Sequence, residues 1–225
     1  MRKTIQQTDK TFTGLVLPSL SASDVKDLLI YFIDRGQLEA VKSLLEQDVD
    51  VNVKSDFGET LLHHVVHSDS KMVVLKYLVS QGADVAARTN DGCTPLHYAT
   101  TLNSNVAVLK YLVSCGADVN IKFDDDSETL LHYAAHLTTK VAVWKYLISQ
   151  GASVNAKSDS GETPLHKVAR YNSNVAVLKY LISAGSDANA KDNEGKTPLD
   201  VIDEDDENAE KKKRILREAM AKKEK

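Results

Sequence analysis

The residues of this 225-residue chain that could most readily do chemistry are its seven histidines. Two pairs, His63 with His67 and His132 with His136, have the i, i+4 spacing of one helical turn. On a helix, that spacing puts both imidazoles on one face, where they could hold a metal ion. No glutamate follows the first histidine of either pair, so the His-Glu-x-x-His motif of zinc hydrolases is absent.

Four of the seven histidines also belong to a recurring step of the form Thr-x-Leu-His. The spacing between the successive threonines of this step is constant, except for one additional position before the third copy. A fifth copy carries aspartate in place of histidine. The five copies are Thr60–His63, Thr94–His97, Thr129–His132, Thr163–His166 and Thr197–Asp200.

Other residues that could do chemistry lack the companions that such chemistry needs. Neither Cys93 nor Cys115 occupies a position that the repeats share, and no neighbouring base is indicated for a nucleophilic thiolate. The acidic run at residues 124–128 lacks the alternating ligands, glycine and distal glutamate of a calcium loop. No phosphate-binding glycine loop or nucleophile elbow occurs. We therefore predict that the protein is not an enzyme and holds no cofactor.

Composition and charge indicate an ordinary soluble folded chain. Hydrophobic residues make up 42% and charged residues 27%, and the net charge of −4 provides no field to attract nucleic acid or a membrane. No apolar run approaches the roughly 20 residues of a membrane-spanning helix, and the first residues lack the apolar core of a signal peptide. Two cysteines give no disulfide framework and fit a reducing compartment, so we expect a cytoplasmic location.

Each repeated unit predicts two helices and a projecting turn. The threonine stands where a helix begins, and proline follows it at Pro95, Pro164 and Pro198, a first-turn position. A second apolar helix ends at a glycine that recurs at a fixed distance from the threonine, where glycine suits a left-handed C-terminal cap. A further turn then leads into the next threonine and resembles a hairpin. The recurring glycines are Gly82, Gly116, Gly151 and Gly185.

This pattern resembles the ankyrin repeat, in which Thr-Pro-Leu-His is followed by a Gly-Ala-Asp-Val-Asn step, over roughly residues 22–202. The resemblance implies an all-α solenoid of helix-turn-helix units with β-hairpin-like fingers. It also implies that the repeated histidines are structural, each bonded near the start of its helix, so we predict no metal site. The unit departs from the family by being one residue longer than the usual repeat. The third unit has an additional finger residue and carries Ser127 where the other fingers have glycine.

The repeat boundaries predict seven segments. An N-terminal arm and a capping repeat precede four full repeats, and a capping repeat with a charged tail follows them. We expect the last unit to be a helix pair over residues 197–222. The segments are 1–21, 22–55, 56–89, 90–123, 124–158, 159–192 and 193–225.

The resemblance also implies where a partner protein binds, namely at the finger tips and on the inner face of the first helices, which line a concave groove. These positions differ among the repeats of this chain, and many hold residue types enriched in binding hot spots. The predicted partner-binding residues are Phe57, Glu59, His64, His67, Asp91, Tyr98, Thr101, Asp125, Asp126, Glu128, Tyr133, His136, Glu162, Lys167, Arg170 and Tyr171.

We therefore predict a monomeric protein-protein interaction module that acts as an adaptor, scaffold or inhibitor. Its partner would carry a basic segment and apolar anchors. The first alternative is an effector that is secreted or targeted to a host cell, and the second is an enzyme or small-molecule binder. The basic run at residues 211–214 leaves a nuclear location open. We also expect that replacing Tyr133 and Arg170 by alanine abolishes binding at an unchanged melting temperature.

Overall fold

The structure is a computed structural model that describes residues 22–47, 49–67, 71–102, 106–123 and 126–223. Within these ranges the chain forms eleven helices and no extended strand, which confirms the predicted all-helical fold. The predicted N-terminal arm lies outside the described residues. The helices are α1 (Ala22–Asp34), α2 (Leu38–Leu45), α3 (Leu61–Val65), α4 (Met72–Ser80), α5 (Pro95–Leu102), α6 (Ala107–Ser114), α7 (Leu130–Leu137), α8 (Val141–Ser149), α9 (Pro164–Tyr171), α10 (Val175–Ser183) and α11 (Ala209–Lys223).

The helices form pairs, α1 with α2, α3 with α4 and so on up to α9 with α10, and few residues separate the two members of a pair. Each first helix packs on its own second helix and on the first helix of the next pair, so α1, α3, α5, α7 and α9 form one layer. The final helix α11 packs on α10. The helices from α3 to α10 are too short to be stable alone in water, so packing between neighbouring pairs must stabilise them.

The second helices end at the predicted glycines. Gly82 has a φ of 88°, in the left-handed region that favours glycine. The N–H of the next residue, Ala83, donates to the carbonyl of Leu78 at 3.0 Å, which closes the last turn of α4. The core lies between the two layers. It includes Leu75 and Leu78 of α4 and their repeat equivalents, which are Leu109, Leu112, Trp144, Leu147, Leu178 and Leu181.

The fingers are tight turns closed by hydrogen bonds. In the first finger the N–H of Ser55 donates to the carbonyl of Glu59 at 2.8 Å, and Gly58 at the turn has a φ of 78°. A side chain at Gly58 would collide with Asn90 of the next finger, so this glycine also permits close stacking of fingers.

The third finger differs from the others, as its extra residue predicts. Ser127 takes the turn position and has a φ of 56°, the only positive φ at a non-glycine residue in the part that the structure describes. The two sides of this finger meet at an isolated bridge between Lys122 and Thr129. Phe123 stands where the first finger has Ser55, whose hydroxyl accepts backbone N–H groups.

The last unit is not the predicted helix pair over residues 197–222. Residues 198–201 form only a turn, and the single helix α11 begins at Ala209. Aspartates explain the difference, since their carboxylates bind backbone N–H groups nearby and favour turns over helix interiors. Asp203 accepts the N–H of Asp205 at 3.0 Å, and Asp206 accepts the N–H of Asn208 at 2.6 Å. Asp200, in contrast, makes with Thr197 the bond that the histidines make at the other helix starts.

Among the described residues, no helix is long and apolar enough to cross a membrane.

Candidate functional site

The repeated histidines close the starts of the first helices, which confirms the structural role that the resemblance implies. Nδ1 of His63 accepts the backbone N–H of Thr60 at 3.0 Å. Because Nδ1 accepts, the ring proton lies on Nε2, which donates to the carbonyl of Cys93 in the next finger at 3.1 Å. His132 and His166 repeat this arrangement. Each imidazole therefore joins its own helix start to the following repeat.

Burial keeps these imidazoles neutral. Desolvation lowers the pKa of His63 to about 4, even though the bond to the carbonyl of Cys93 opposes the shift. Burial likewise lowers the pKa values of His132 and His166.

His97 is the exception among the repeated histidines. Its Nδ1 accepts the N–H of Thr94 at 3.0 Å, but its buried Nε2 has no hydrogen-bond partner among the described residues. Burial, and next the charge of Arg88, lower the pKa of this imidazole to about 3.

The arrangement of the described histidines, cysteines and carboxylates does not support metal binding. Among the residues that the structure describes, no cluster of three or more His, Cys, Asp or Glu side chains could hold a metal ion. Both cysteines are free thiols, and burial raises the pKa of Cys93, which is opposite to the activation that a nucleophilic cysteine requires.

A network of alternating charges joins the third finger to helix α9. Lys167 forms ion pairs with Glu128 and, at 3.0 Å, with Glu162. Arg170 contacts the other oxygen of Glu162 at 2.7 Å. Burial opposes the charge of Lys167, but its hydrogen bonds to the two carboxylates prevail and raise its pKa.

This network corrects the predicted role of Glu162. The prediction that it lies at a finger tip is wrong, because its residue surface is only 5% exposed. Glu128 is also largely buried, with 12% of its side chain exposed, and its carboxylate forms an ion pair within the chain. The physical reason is that a carboxylate beside the next repeat gains cationic neighbours there.

A second network lies at the first finger. The phenol of Tyr98 donates to Glu59 at 2.8 Å, and Nε2 of His64 lies 3.6 Å from the other oxygen of Glu59. Burial, and next the bond to Glu59, raise the pKa of Tyr98. Glu59 therefore lies at the base of its finger and contacts the following repeat, so its placement at the tip is also corrected.

Tyr133 is half-buried and packs against aromatic neighbours. Its ring lies 5.0 Å from that of Phe123 and 5.5 Å from that of His97. Burial raises its pKa to about 12. Truncating Tyr133 and Arg170 together would therefore remove packing and an ion pair, so we expect this double variant to lower the melting temperature rather than to leave it nearly unchanged.

An exposed cluster lies at the C-terminal ends of helices α7 and α9. The rings of His136 and Tyr171 are 4.1 Å apart, and the guanidinium of Arg170 lies 5.5 Å from the centre of the Tyr171 ring. Leu137 is 47% and Tyr171 48% exposed, so apolar surface is available to solvent here. We call His136, Leu137, Arg170 and Tyr171 the helix-end patch. His67 holds the equivalent place at the end of α3 and lies 5.7 Å from the Tyr98 ring.

The finger tips provide the remaining predicted positions. Phe57 is 75% exposed at the first tip, and Asp91 and Asp126 are exposed at the second and third tips. Asp125 lies outside the described residues. Thr101 lies in α5.

The contacts between finger bases and the next first helix were missed from the sequence. Glu59 with Tyr98 and Glu128 with Lys167 each join a finger base to the following unit. The repeat itself is the signal that could have found them. Both pairs connect the residue before the threonine of one unit with the residue after the histidine of the following unit. Comparing complementary residue types between adjacent units would have indicated intramolecular pairing.

Comparisons with known proteins agree with this architecture. The family profile described as "Ankyrin repeats (3 copies)" matches residues 29–123, "Ankyrin repeat" matches residues 126–159, and "Ankyrin repeats (many copies)" matches residues 147–202. No curated protein matches the sequence.

A similar solved chain comes from a complex of a predatory endopeptidase of Bdellovibrio bacteriovorus with an immunity protein. It is 28% identical, the match covers 85% of the present chain and 97% of that chain, and the TM-score is 0.70. The family profiles cover the helix pairs and fingers described above, and they support a protein-protein interaction module. The chain therefore belongs to the ankyrin repeat family.

Proposed function

We propose that the protein binds a partner protein through the helix-end patch and the neighbouring finger tips. The observation that carries this proposal is the exposed apolar and aromatic surface of Leu137 and Tyr171, both on the layer of first helices. Tyrosine and arginine side chains surrounded by less critical contacts are typical of binding hot spots.

The patch is held in place by bonds that do not involve a partner. Glu162 fixes Arg170, and the buried amide of Asn172 donates to the carbonyls of Ala135 and Thr138 at 3.1 and 2.9 Å. These amide bonds satisfy the C-terminal end of α7, directly beside His136 and Leu137. A preorganised surface favours affinity, since less side-chain freedom is lost on binding.

Charge indicates the chemistry of the partner. Glu128 and Glu162 form ion pairs within the chain and Glu59 accepts a hydrogen bond from Tyr98, whereas each of the first four fingers carries an exposed aspartate. In the described part of the chain none of these aspartates forms an ion pair; they are Asp56, Asp91, Asp126 and Asp159. A partner with a basic segment for the finger tips and an apolar side chain for the helix-end patch would complement both surfaces.

A more specific candidate is an inhibitor of a peptidase. The observation that favours it is the similarity, over nearly the full length of the solved chain, to a component of an endopeptidase–immunity protein complex. The proposal is that this chain covers a peptidase in a comparable way. It is tested by asking whether the captured partner cleaves peptides and whether one equivalent of the chain suppresses that cleavage.

The binding site is tested by capturing the partner from cells of the source organism and measuring its affinity for purified variants. The double variant Leu137→Glu with Tyr171→Glu places two charges in the patch. We expect a loss of about 2 kcal/mol or more, roughly thirtyfold in Kd. Both side chains are about half exposed, so the fold should be retained.

Val73→Glu provides the matched control, because Val73 is 61% exposed but lies on the second helix α4. It should bind like the unmodified chain. Equal affinities for the patch variant and the control would contradict the proposed site.

A further inference from the structure

Recurring side-chain bonds join each repeat to the next one. Four kinds connect residues at equivalent positions. A histidine bonds to a carbonyl in the next finger, and a basic residue bonds to the carbonyl of its own counterpart in the next unit. A finger-base residue contacts the next first helix, and an asparagine bonds to two backbone groups of the next unit. We compare them at the central junction, defined as the contact of residues 90–123 with residues 126–158.

The histidine bond is missing at the central junction. His63, His132 and His166 donate from Nε2 to carbonyls of Cys93, Glu162 and Lys196 at 3.0–3.1 Å. His97, the equivalent residue, has a buried Nε2 with no acceptor among the described residues. The expected acceptor is the carbonyl of Glu128, which receives the N–H of Phe123 at 2.9 Å as the equivalent carbonyls do in the other fingers, but the additional finger residue places it one position further along the chain from the histidine.

The basic-residue bond is missing there as well. Lys54 donates to the carbonyl of Arg88, Arg88 to that of Lys122, and Lys157 to that of Lys191, at 2.8–3.1 Å. The equivalent donor at the central junction is Lys122. Within the described ranges it forms no such bond with Lys157, its counterpart in the next unit.

The finger-base contact is weaker at this junction. Carboxylates bind the next first helix at the neighbouring junctions, where Glu59 accepts from Tyr98 and Glu128 pairs with Lys167. Cys93 occupies this position at the central junction, and its thiol faces the phenol of Tyr133. A thiol is a weaker hydrogen-bonding group than a carboxylate.

Aromatic packing takes the place of the missing bonds. The ring of Phe123 lies 4.4 Å from that of His97 and 5.0 Å from that of Tyr133. Apolar contact stabilises the junction but is less directional than a hydrogen bond, so it tolerates a change of angle. Of the four kinds of bond, the asparagine clamp is kept among the described residues, where Asn120 binds the carbonyl of Gly151 and the N–H of Ser153 at 2.9 Å.

We propose that the central junction is a hinge at which the stack opens and unfolds as two units, residues 22–123 and 126–223. The preceding junction lacks the asparagine clamp, since Ala86 replaces it, but keeps the histidine, basic and carboxylate bonds. The following junction keeps the asparagine clamp as well as the histidine, basic and carboxylate bonds. In terms of these side-chain bonds, the central junction therefore separates two better-connected units of nearly equal size.

Native-state hydrogen exchange on the full chain tests the hinge with two matched variants. Leu78 and Leu181 are fully buried at the same repeat position on either side of the junction. We expect Leu78→Ala to speed exchange of the protected amides of residues 22–123 by roughly a hundredfold and to leave residues 126–223 nearly unchanged. Leu181→Ala should produce the reciprocal pattern.

Uniform loss of protection over both units in either variant would overturn the hinge, because the array would then open as one body. A boundary at residues 89–90 would also overturn it and would assign the weak point to Ala86.

Cys93→Glu supplies a second measurement, since it gives Tyr133 the carboxylate that Tyr98 has in Glu59. In a chain that carries both Cys93→Glu and Leu78→Ala, we expect exchange to be faster in residues 126–223 as well as in residues 22–123. Cys115→Ala, which removes the other free thiol, at the end of α6, serves as the control. Unaltered coupling in a folded Cys93→Glu chain would contradict the proposed weakness of the finger-base contact.

Discussion

At the scale of single residues, the buried histidines link stability to pH. Burial lowers the pKa of His63 to about 4 and that of His97 to about 3, against about 6.5 in an unfolded chain. The unfolded chain therefore binds these protons at a higher pH than the folded chain. Their contribution to stability is complete above about pH 6.5 and is lost as the pH falls toward the folded-state pKa values.

We predict that the free energy of unfolding falls between about pH 6.5 and pH 4, by about 1.4 kcal/mol per pH unit for each buried histidine in the unfolding unit. Denaturant titrations at several pH values measure this slope. The variant His97→Gln binds one proton fewer on unfolding, so its slope should be shallower. A stability that stays constant from pH 7 to pH 4 would show that these imidazoles are accessible to protons in the folded chain.

At the scale of elements, a buried lysine holds the C-terminal helix. Lys212 of α11 is fully buried, and its ammonium donates to the carbonyl of Ala169 at 2.9 Å and to Asp206 at 2.5 Å. Ala169 lies near the C-terminal end of α9, where carbonyls lack partners within the helix. The lysine thus supports the helix that carries Arg170 and Tyr171.

We predict that Lys212→Met destabilises the chain by about 3 kcal/mol, because it leaves the carboxylate of Asp206 and the carbonyl of Ala169 without their partner. Lys211→Met is the control, since the neighbouring Lys211 is exposed and its loss should change stability by less than about 0.5 kcal/mol. Thermal or denaturant unfolding compares the two variants. Equal stabilities would mean that α11 is held by its apolar contacts alone.

The same contacts bear on the basic run at residues 211–214. Lys212 is buried and paired with Asp206, and Lys213 is paired with Glu204 at 2.5 Å and with Glu210 at 3.3 Å. A receptor that needs all four cationic side chains would have to unfold part of α11. A nuclear location remains a proposal that these contacts do not favour.

At the scale of the whole molecule, the hinge and the proposed binding surface are connected. The exposed finger aspartates Asp56 and Asp91 lie in the unit before the central junction, and Asp126, Asp159 and the helix-end patch lie in the unit after it. A partner that contacts the finger tips of both units binds best when the two are correctly aligned. Binding would then restrict the hinge, because a ligand stabilises the conformation that it prefers.

We predict that saturating partner slows hydrogen exchange in both units. With partner at about a hundred times its Kd, protection should rise by about 2.7 kcal/mol in each unit that it contacts. In the Leu78→Ala chain, both units should therefore gain this protection, because the opening of either unit would release the partner. Added protection confined to residues 126–223 would instead place the partner on the helix-end patch and its own fingers alone.

Much of this architecture could be predicted from the sequence, because each unit repeats the same local chemistry. The threonines at the starts of α3, α5, α7 and α9, and the glycines after the second helices, stand at the expected places. The altered third finger was also predictable from its additional residue. The absence of a helix pair in the last unit was not predictable, because aspartate turns compete with helix over residues 198–206 and the outcome depends on packing.

The partner-facing residues show what only the tertiary structure decided. From the sequence, Glu59, Glu128 and Glu162 were equivalent surface acids beside variable first helices. The structure binds them to Tyr98, Lys167 and Arg170 instead, because stacking and the local helix turn bring these side chains into contact. The sequence alone determined the repeat, its helix starts and the type of side chain at each position. Stacking decided which charges were already paired and left Leu137, Tyr171 and the finger aspartates exposed, since pairing depends on distances that exist only between folded neighbours.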